Sequence, residues 1–185
     1  MEQRSISMPL GIVVRKSPGV TRWAKWVWRA VAVLPAAPPA DWREMRREGG
    51  AVEYHAATLP LELYRTDTEA YLTALANDPP SVYVIMRPSE NPDRELDFVT
   101  VTASAFEAQD YQDSGEEIVE PVPMPEGLVA WVQQWIDRHH TEEIFVKRRR
   151  NRESVDKTED GIGDARIRQV ADVYRSPASK KRTIQ

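Results

Sequence analysis

The chain has 185 residues, of which 41% are hydrophobic and six are tryptophan. This is enough for one well-buried domain and a tail, and short for two full domains. It has no cysteine, which excludes disulfides, thiolate metal sites, iron–sulfur ligation by this chain and cysteine nucleophiles. Residues 1–140 hold 13 Lys/Arg and 21 Asp/Glu, whereas residues 141–185 hold 12 and 8. An acidic body with a basic tail is more typical of partner binding than of catalysis.

The first residues, Met1 to Ser7, are polar and lack the hydrophobic stretch of a secretion signal. The sequence also has no uninterrupted apolar run that approaches the length of a membrane span. We therefore expect a cytoplasmic protein with no membrane partner.

A tryptophan-rich segment, 22–34, is the strongest strand signal in the N-terminal half. With period two, one face carries Trp26, Trp28, Ala30, Ala32 and Leu34. A strand apolar on one face and half apolar on the other predicts a central position in an antiparallel sheet. The shorter strand before it, 10–16, ends in a Ser-Pro-Gly turn, so the two strands should form a hairpin.

Prolines at 35–39 should end the second strand, because proline donates no backbone hydrogen bond. The next segment, 41–48, reads as one or two helical turns with Asp41 as N-cap, closed by Gly49 and Gly50. A further strand is predicted at 52–64, with a break at Pro60.

A helix is predicted to start at Thr66 or Asp67 and to end at 77–80, with an apolar stripe of Tyr71, Leu72 and Leu75. The apolar run 81–86 predicts a buried central strand. The longest strand pattern covers 96–108, and turn residues at 110–117 precede a short strand at 118–120.

A proline-rich extended segment then leads into a closing helix that begins near Pro125. Its apolar stripe consists of Leu128, Val132 and Trp135, widened by Val129, Trp131 and Ile136. The predicted fold class is α+β. We expect a mostly antiparallel sheet of about six or seven strands, with one internal helix and a closing C-terminal helix, over residues 8–140. Barrel-like closure of that sheet is an alternative.

Residues 141–185 are predicted to form a charged, basic and largely disordered tail, with a short helix at 164–175 as an option. A basic run at its start could be a solvated segment, or could contact nucleic acid or an acidic protein. Nucleic acid is disfavoured, because the body is acidic and no interleaved aromatic residues accompany the run. The predicted partner-binding residues are Lys147, Arg148, Arg149, Arg150, Arg152, Ile167, Val170 and Tyr174.

No pattern in the sequence indicates catalysis. His55 reads as a structural histidine on a strand. His139 and His140 are adjacent at a helix end and point about 100° apart, so they cannot chelate one metal well. The glycine pairs are not in phosphate-loop contexts, and no nucleophile elbow is present. We therefore predict that the protein is not an enzyme and has no catalytic residues, metal site or cofactor.

Several segments together resemble an uncharacterised bacterial family, domain of unknown function 3305, over roughly residues 8–140. They are the stretches at 8–14, 26–28, 53–55, 81–84, 99–104, 111–117 and 122–125. The resemblance implies a genomic setting, since members tend to be encoded beside molybdenum-dependent formate dehydrogenase genes and a TorD-type chaperone. It implies no catalytic residues.

From the charge pattern and this resemblance, we expect a non-enzymatic accessory or assembly protein that acts through protein contacts. Maturation of a molybdenum-dependent formate dehydrogenase is the expected process. Its subunits or their chaperone are the expected partners, bound by the tail or by the tryptophan-rich sheet. The alternative is a small-ligand-binding domain with a pocket between the sheet and the helix that holds Trp131 and Trp135.

Overall fold

Two antiparallel sheets and three helices make up the part of the chain described by the computed structural model, residues 4–21, 23 and 25–141. The strands are β1 Ser5–Pro18, β2 Trp26–Pro35, β3 Arg43–Glu48, β4 Ala51–Tyr64, β5 Ser81–Pro88, β6 Leu96–Thr102 and β7 Ile118–Pro123. The helices are α1 Thr68–Leu75, α2 Ala105–Ser114 and α3 Glu126–His139. The α+β class and the antiparallel pairing are as the sequence predicts.

The strands form a four-stranded sheet, ordered β2-β1-β4-β3, and a three-stranded sheet, ordered β6-β5-β7. The prediction of one sheet with six or seven strands is therefore wrong, and the sheets are not closed into a barrel. At the place where β2 approaches β7, the backbone N–H of Ala30 donates to the Glu120 carboxylate at 2.5 Å. The Glu120 side chain thus accepts from the Ala30 N–H. In a closed barrel, this N–H would donate to a backbone carbonyl of the neighbouring strand.

One hydrophobic core is shared by both sheets and the helices. β5 contributes Val82, Val84 and Met86 to it, and the buried central strand predicted at 81–86 is confirmed. The predicted stripe of α3 is also buried, consisting of Leu128, Val132 and Trp135 with Ile136 beside them. Within the described residues, no helix is long and apolar enough to cross a membrane.

β2 forms the predicted hairpin with β1 but lies at the edge of its sheet, not at the centre. The register passes from Val13 opposite Ala32 to Val14 opposite Ala30, so Val31 is an extra residue in a bulge. A bulge reverses the side-chain alternation. Ala30 and Val33 therefore both reach the core, although they are three residues apart. The alternate residues from Trp26 to Leu34 do not all share one face, contrary to the sequence prediction.

The helical turns predicted at 41–48 are wrong, because this segment is strand β3, which pairs with β4. Gly49 and Gly50 both have positive φ, 56° and 84°, and form the two-residue turn between the strands. Such a turn needs φ above zero at both positions, which glycine adopts without a steric penalty. Pairing along β4 satisfies the backbone groups that a short exposed helix would leave open.

The strand predicted over 96–108 ends at Thr102, and the predicted turn region is mostly the helix α2. The missed signal is Ser104, whose hydroxyl accepts from the N–H of Glu107 at 3.1 Å and caps the helix. The N-cap position of α1 is Asp67, one of the two predicted residues, but its side chain makes no capping hydrogen bond. Leu72 of the predicted stripe is 37% exposed. β4 continues through Pro60 without the predicted break.

Candidate functional site

Four aromatic side chains from distant segments meet at one end of the described structure. Trp28 of β2 and Tyr54 of β4 contact Trp42, with ring centroids 5.6 Å and 5.9 Å away, and Phe98 of β6 lies 5.9 Å from the same ring. Trp28 and Tyr54 are themselves 6.2 Å apart. Such tilted and edge-to-face contacts are favourable beyond the area that they bury. Trp42 is therefore the centre of the group.

The strand register explains how these rings come together. Tyr54 lies opposite Val14, and Trp28 lies opposite Lys16. Directly opposite residues share a face of a sheet, so both rings extend the face that carries the core residue Val14. Trp42 has a φ of 48°, which is unusual for a large side chain, and its N–H donates to the carbonyl of Ala56 at 3.1 Å. Its three ring contacts offset the strain of that conformation.

A lysine and a further tryptophan extend this group to the surface. The Lys16 ammonium lies 4.6 Å from the centroid of Trp26 and 4.9 Å from that of Trp28, within the range of a cation–π contact. Trp26 is 39% exposed. We call the set Lys16, Trp26, Trp28, Trp42, Tyr54 and Phe98 the aromatic end.

The hairpin tip, residues 19–25, connects β1 to β2. In sequence it lies between Lys16 and Trp26 of the aromatic end. The N–H of Gly19 donates to the carbonyl of Lys25 at 3.0 Å and closes the connection. Two apolar side chains on it are almost wholly exposed, Val20 at 100% and Trp23 at 93%. Arg22 and Ala24 lie outside the described residues.

The charge of this region differs from that of the rest of the body. No Asp or Glu occurs from residue 3 to residue 40, whereas this stretch holds six Lys/Arg. Residues 41–141 hold seven Lys/Arg and 20 Asp/Glu. Near the tip, Arg15 pairs with Glu53 of β4 at 2.5 Å, and Arg29 lies opposite Arg15 on β2. The hairpin is thus a basic element on an acidic body.

His55 lies on a strand, as the sequence predicts, and it is buried and hydrogen-bonded. Its Nε2 lies 2.9 Å from the hydroxyl of Thr58, and that hydroxyl donates to the carbonyl of Pro38 at 2.8 Å. Because the Thr58 proton is used there, Nε2 is the donor to Thr58. Burial lowers the pKa of His55 and outweighs a backbone hydrogen bond at Ala57, with Arg43 lowering it further. This network fastens the segment between β2 and β3.

The other two histidines contact different partners. The His139 ring packs on Trp135, with centroids 4.1 Å apart, and His140 Nδ1 lies 2.9 Å from the Thr68 hydroxyl. The two rings therefore contact different groups and do not converge. In the described part of the chain, no group of three His, Cys, Asp or Glu could hold a metal ion.

A ligand pocket is expected between the sheet and α3, the helix that holds Trp131 and Trp135. Trp135 is buried, and its indole Nε1 has no hydrogen-bond partner among the described residues. Trp131 is half buried at the core margin. Three surface cavities of about 340, 300 and 450 Å³ are lined by other residues, so none of these three is the expected pocket.

All eight residues predicted to bind a partner lie outside the described residues. They are Lys147, Arg148, Arg149, Arg150, Arg152, Ile167, Val170 and Tyr174, and the option of a helix at 164–175 lies there too. The structure instead brings together residues that were not predicted as a site. An available signal was the acid-free stretch 3–40, in which three tryptophans alternate with cations.

One comparison with known proteins gives a family. The family described as Protein of unknown function (DUF3305) matches residues 9–150. The matched region therefore includes most of the described residues and the first four residues of the basic run, 147–150. No curated protein and no solved structure matches the chain significantly.

Proposed function

Because the chain belongs to the family Protein of unknown function (DUF3305), we propose a function from its surface. The protein is a non-enzymatic accessory or assembly protein that binds a protein partner through the aromatic end. The resemblance stated above gives the setting of this proposal, which is maturation of a molybdenum-dependent formate dehydrogenase. Subunits of that enzyme or their chaperone are the proposed partners.

The observation that carries the proposal is the composition of the aromatic end at its surface. Lys16 lies against the rings of Trp26 and Trp28. Trp26 is exposed, whereas the other four rings of the aromatic end are half buried. Tryptophan and tyrosine are the residues most enriched in the energetic centres of protein interfaces. The supporting rings are held by two sheets, so little side-chain entropy is lost when a partner covers them.

The test is a pull-down from a native lysate with the full chain, read by mass spectrometry. Trp26→Ala should lose a protein that the wild type retains, and the purified partner should then bind the variant about 30-fold more weakly, as for a binding hot spot. Phe106→Ala is the matched control, because Phe106 is an exposed aromatic residue on helix α2. Recovery of formate dehydrogenase subunits or their chaperone supports the setting.

A second variant distinguishes partner binding by the tail from partner binding by the aromatic end. Replacement of Lys147, Arg148, Arg149, Arg150 and Arg152 by glutamine leaves the aromatic end unchanged. If this variant loses the partner and Trp26→Ala keeps it, the contact belongs to the tail. If neither wild type nor variants retain any protein, the accessory function is rejected.

A second candidate, a small-ligand-binding domain, is favoured by the buried indole N–H of Trp135, for which the described part of the chain provides no acceptor. Buried donors are nearly always hydrogen-bonded, and a ligand acceptor would satisfy this one. A metabolite that changes the tryptophan fluorescence of wild type, but not of Trp135→Phe, would support this candidate. No change with any compound tested would count against it.

A further inference from the structure

We propose that the hairpin tip binds the surface of an anionic lipid bilayer. The contact is reversible and peripheral, with Val20 and Trp23 in the interfacial layer and the neighbouring cations on lipid phosphates. This inference does not depend on the protein partner proposed above. The sequence-based expectation of no membrane partner was drawn from the lack of a spanning segment, and a surface contact needs none.

The first argument is the exposure of the two apolar side chains. Val20 is 100% exposed and Trp23 is 93% exposed, although the Gly19–Lys25 hydrogen bond closes the connection beneath them. No described residue therefore covers either side chain. A tryptophan held out in water loses the favourable transfer of a large apolar surface, so a partner that takes it up gains that free energy.

The second argument is charge complementarity. The stretch from residue 3 to residue 40 contains six cations and no Asp or Glu, in a chain whose net charge is −4. Lys16 and Lys25 are the described cations beside Val20 and Trp23 in sequence, whereas Arg15 is paired with Glu53 and Arg4 precedes β1 at its opposite end. The negative potential of an anionic leaflet attracts such a segment and repels the acidic remainder of the body. The protein would therefore approach the surface with the hairpin first.

The third argument is the order of groups along the hairpin. Lys25 follows Trp23 by two residues at the end of the hairpin tip, and Lys16 lies in β1 two residues before Pro18, so cations flank Val20 and Trp23 along the chain. Bilayer interfaces have the same order, since tryptophan favours the level of the headgroups and cations reach the phosphates. Exposed apolar side chains flanked by lysines can enter the interfacial layer of a bilayer without a matching pocket.

The test is sedimentation of the full chain with vesicles, followed by tryptophan emission. Vesicles of phosphatidylcholine mixed with phosphatidylglycerol should bind the protein at low ionic strength and shift its emission to shorter wavelength. Vesicles of phosphatidylcholine alone should not. Added salt should release the protein, because the charged contacts are exposed to solvent.

Substitutions assign the contact to the tip. Trp23→Ala should weaken binding at least about tenfold through lost apolar transfer, and Lys25→Gln about fivefold through loss of one charge. Phe106→Ala and Arg138→Gln are matched controls on helices α2 and α3 and should bind as wild type. Trp23 is 93% exposed, so Trp23→Ala should not affect folding.

The basic run 147–152 is a competing source of vesicle binding. If Trp23→Ala and Lys25→Gln both bind as wild type, the tip does not carry the contact and the proposal is overturned. Lack of binding to the mixed vesicles also overturns it. If Trp23→Ala instead loses a protein from the pull-down while no variant binds vesicles, the tip is a protein contact. The protein contact of the aromatic end is tested separately by Trp26→Ala, so the two proposals can fail independently.

Discussion

At the scale of single residues, Gly11 of β1 is required by what packs against it. β2 and β3 lie at opposite edges of their sheet, so the segment between them crosses the strands that separate them. Ala37 of this segment and the ring of His55 both approach Gly11. A Cβ there would lie 2.5 Å from His55 Nε2 and 2.9 Å from the Ala37 Cβ. The close approach, and not a special backbone conformation, fixes this glycine.

Gly11→Ala should lower the free energy of unfolding by about 1–3 kcal/mol, the usual cost of overpacking a filled site. The measurement is urea denaturation followed by tryptophan fluorescence. Gly127→Ala, on helix α3, is the control, because nothing lies within 4 Å of a Cβ there. It should be neutral or stabilise by up to about 1 kcal/mol. Equal effects of the two substitutions would contradict this account of Gly11.

At the scale of elements, β3 and α2 both differ from the secondary structure that their sequence pattern predicts, for two different reasons. β3 is a strand because β4 provides its partners through a two-residue turn. α2 is a helix although it follows a strong strand pattern, because Ser104 stops the strand and caps the helix. Both boundaries are marked by short turn or cap residues and not by hydrophobic periodicity.

Ser104→Ala should destabilise the protein by about 1 kcal/mol, since it removes the side-chain acceptor for the N–H of Glu107. Asp67→Ala is the matched change at the N-cap of α1, where the side chain makes no capping hydrogen bond. Its effect should be smaller, a few tenths of a kcal/mol from the helix dipole alone. Thermal unfolding of both variants checks the difference, and a larger loss for Asp67→Ala would contradict the assignment.

At the scale of the whole molecule, the half-buried carboxylate of Glu120 joins the two sheets at the N–H of Ala30. Burial raises the pKa of Glu120, and it outweighs that hydrogen bond and the nearby Arg29, which both lower it. A raised pKa means that the ionised form is less favourable in the folded than in the unfolded state. The contribution of Glu120 to stability therefore improves as pH falls from neutral through the folded pKa towards the ordinary glutamate pKa of 4.5.

Two substitutions at this position separate charge from hydrogen bonding. Glu120→Gln keeps an acceptor and should be at least as stable as wild type at pH 7, with this advantage shrinking as the pH is lowered. Glu120→Leu leaves the Ala30 donor unpaired and should cost about 1–3 kcal/mol. Urea denaturation at several pH values checks both. Glu116→Gln, at an exposed carboxylate before β7, is the control, and an equal pH effect there would refute the role of burial.

The sequence by itself determined the features that depend on contiguous residues. The β1–β2 hairpin, the buried strand at 81–86 and the stripe of α3 are periodic apolar patterns bounded by turn or proline signals. Side-chain period and turn chemistry act within one segment, so one segment is sufficient to predict them. The α+β class follows from these elements, and the family resemblance was likewise found in local segments.

The tertiary structure alone decided how the segments combine. It split the strands into two sheets, shifted the face of β2 at Val31 and placed that strand at an edge. It also assembled the aromatic end from Trp28, Trp42, Tyr54 and Phe98, which no local spacing relates. Strand order and side-chain exposure depend on pairing between distant residues, and such pairing is set by the free energy of the whole core and not by any one segment.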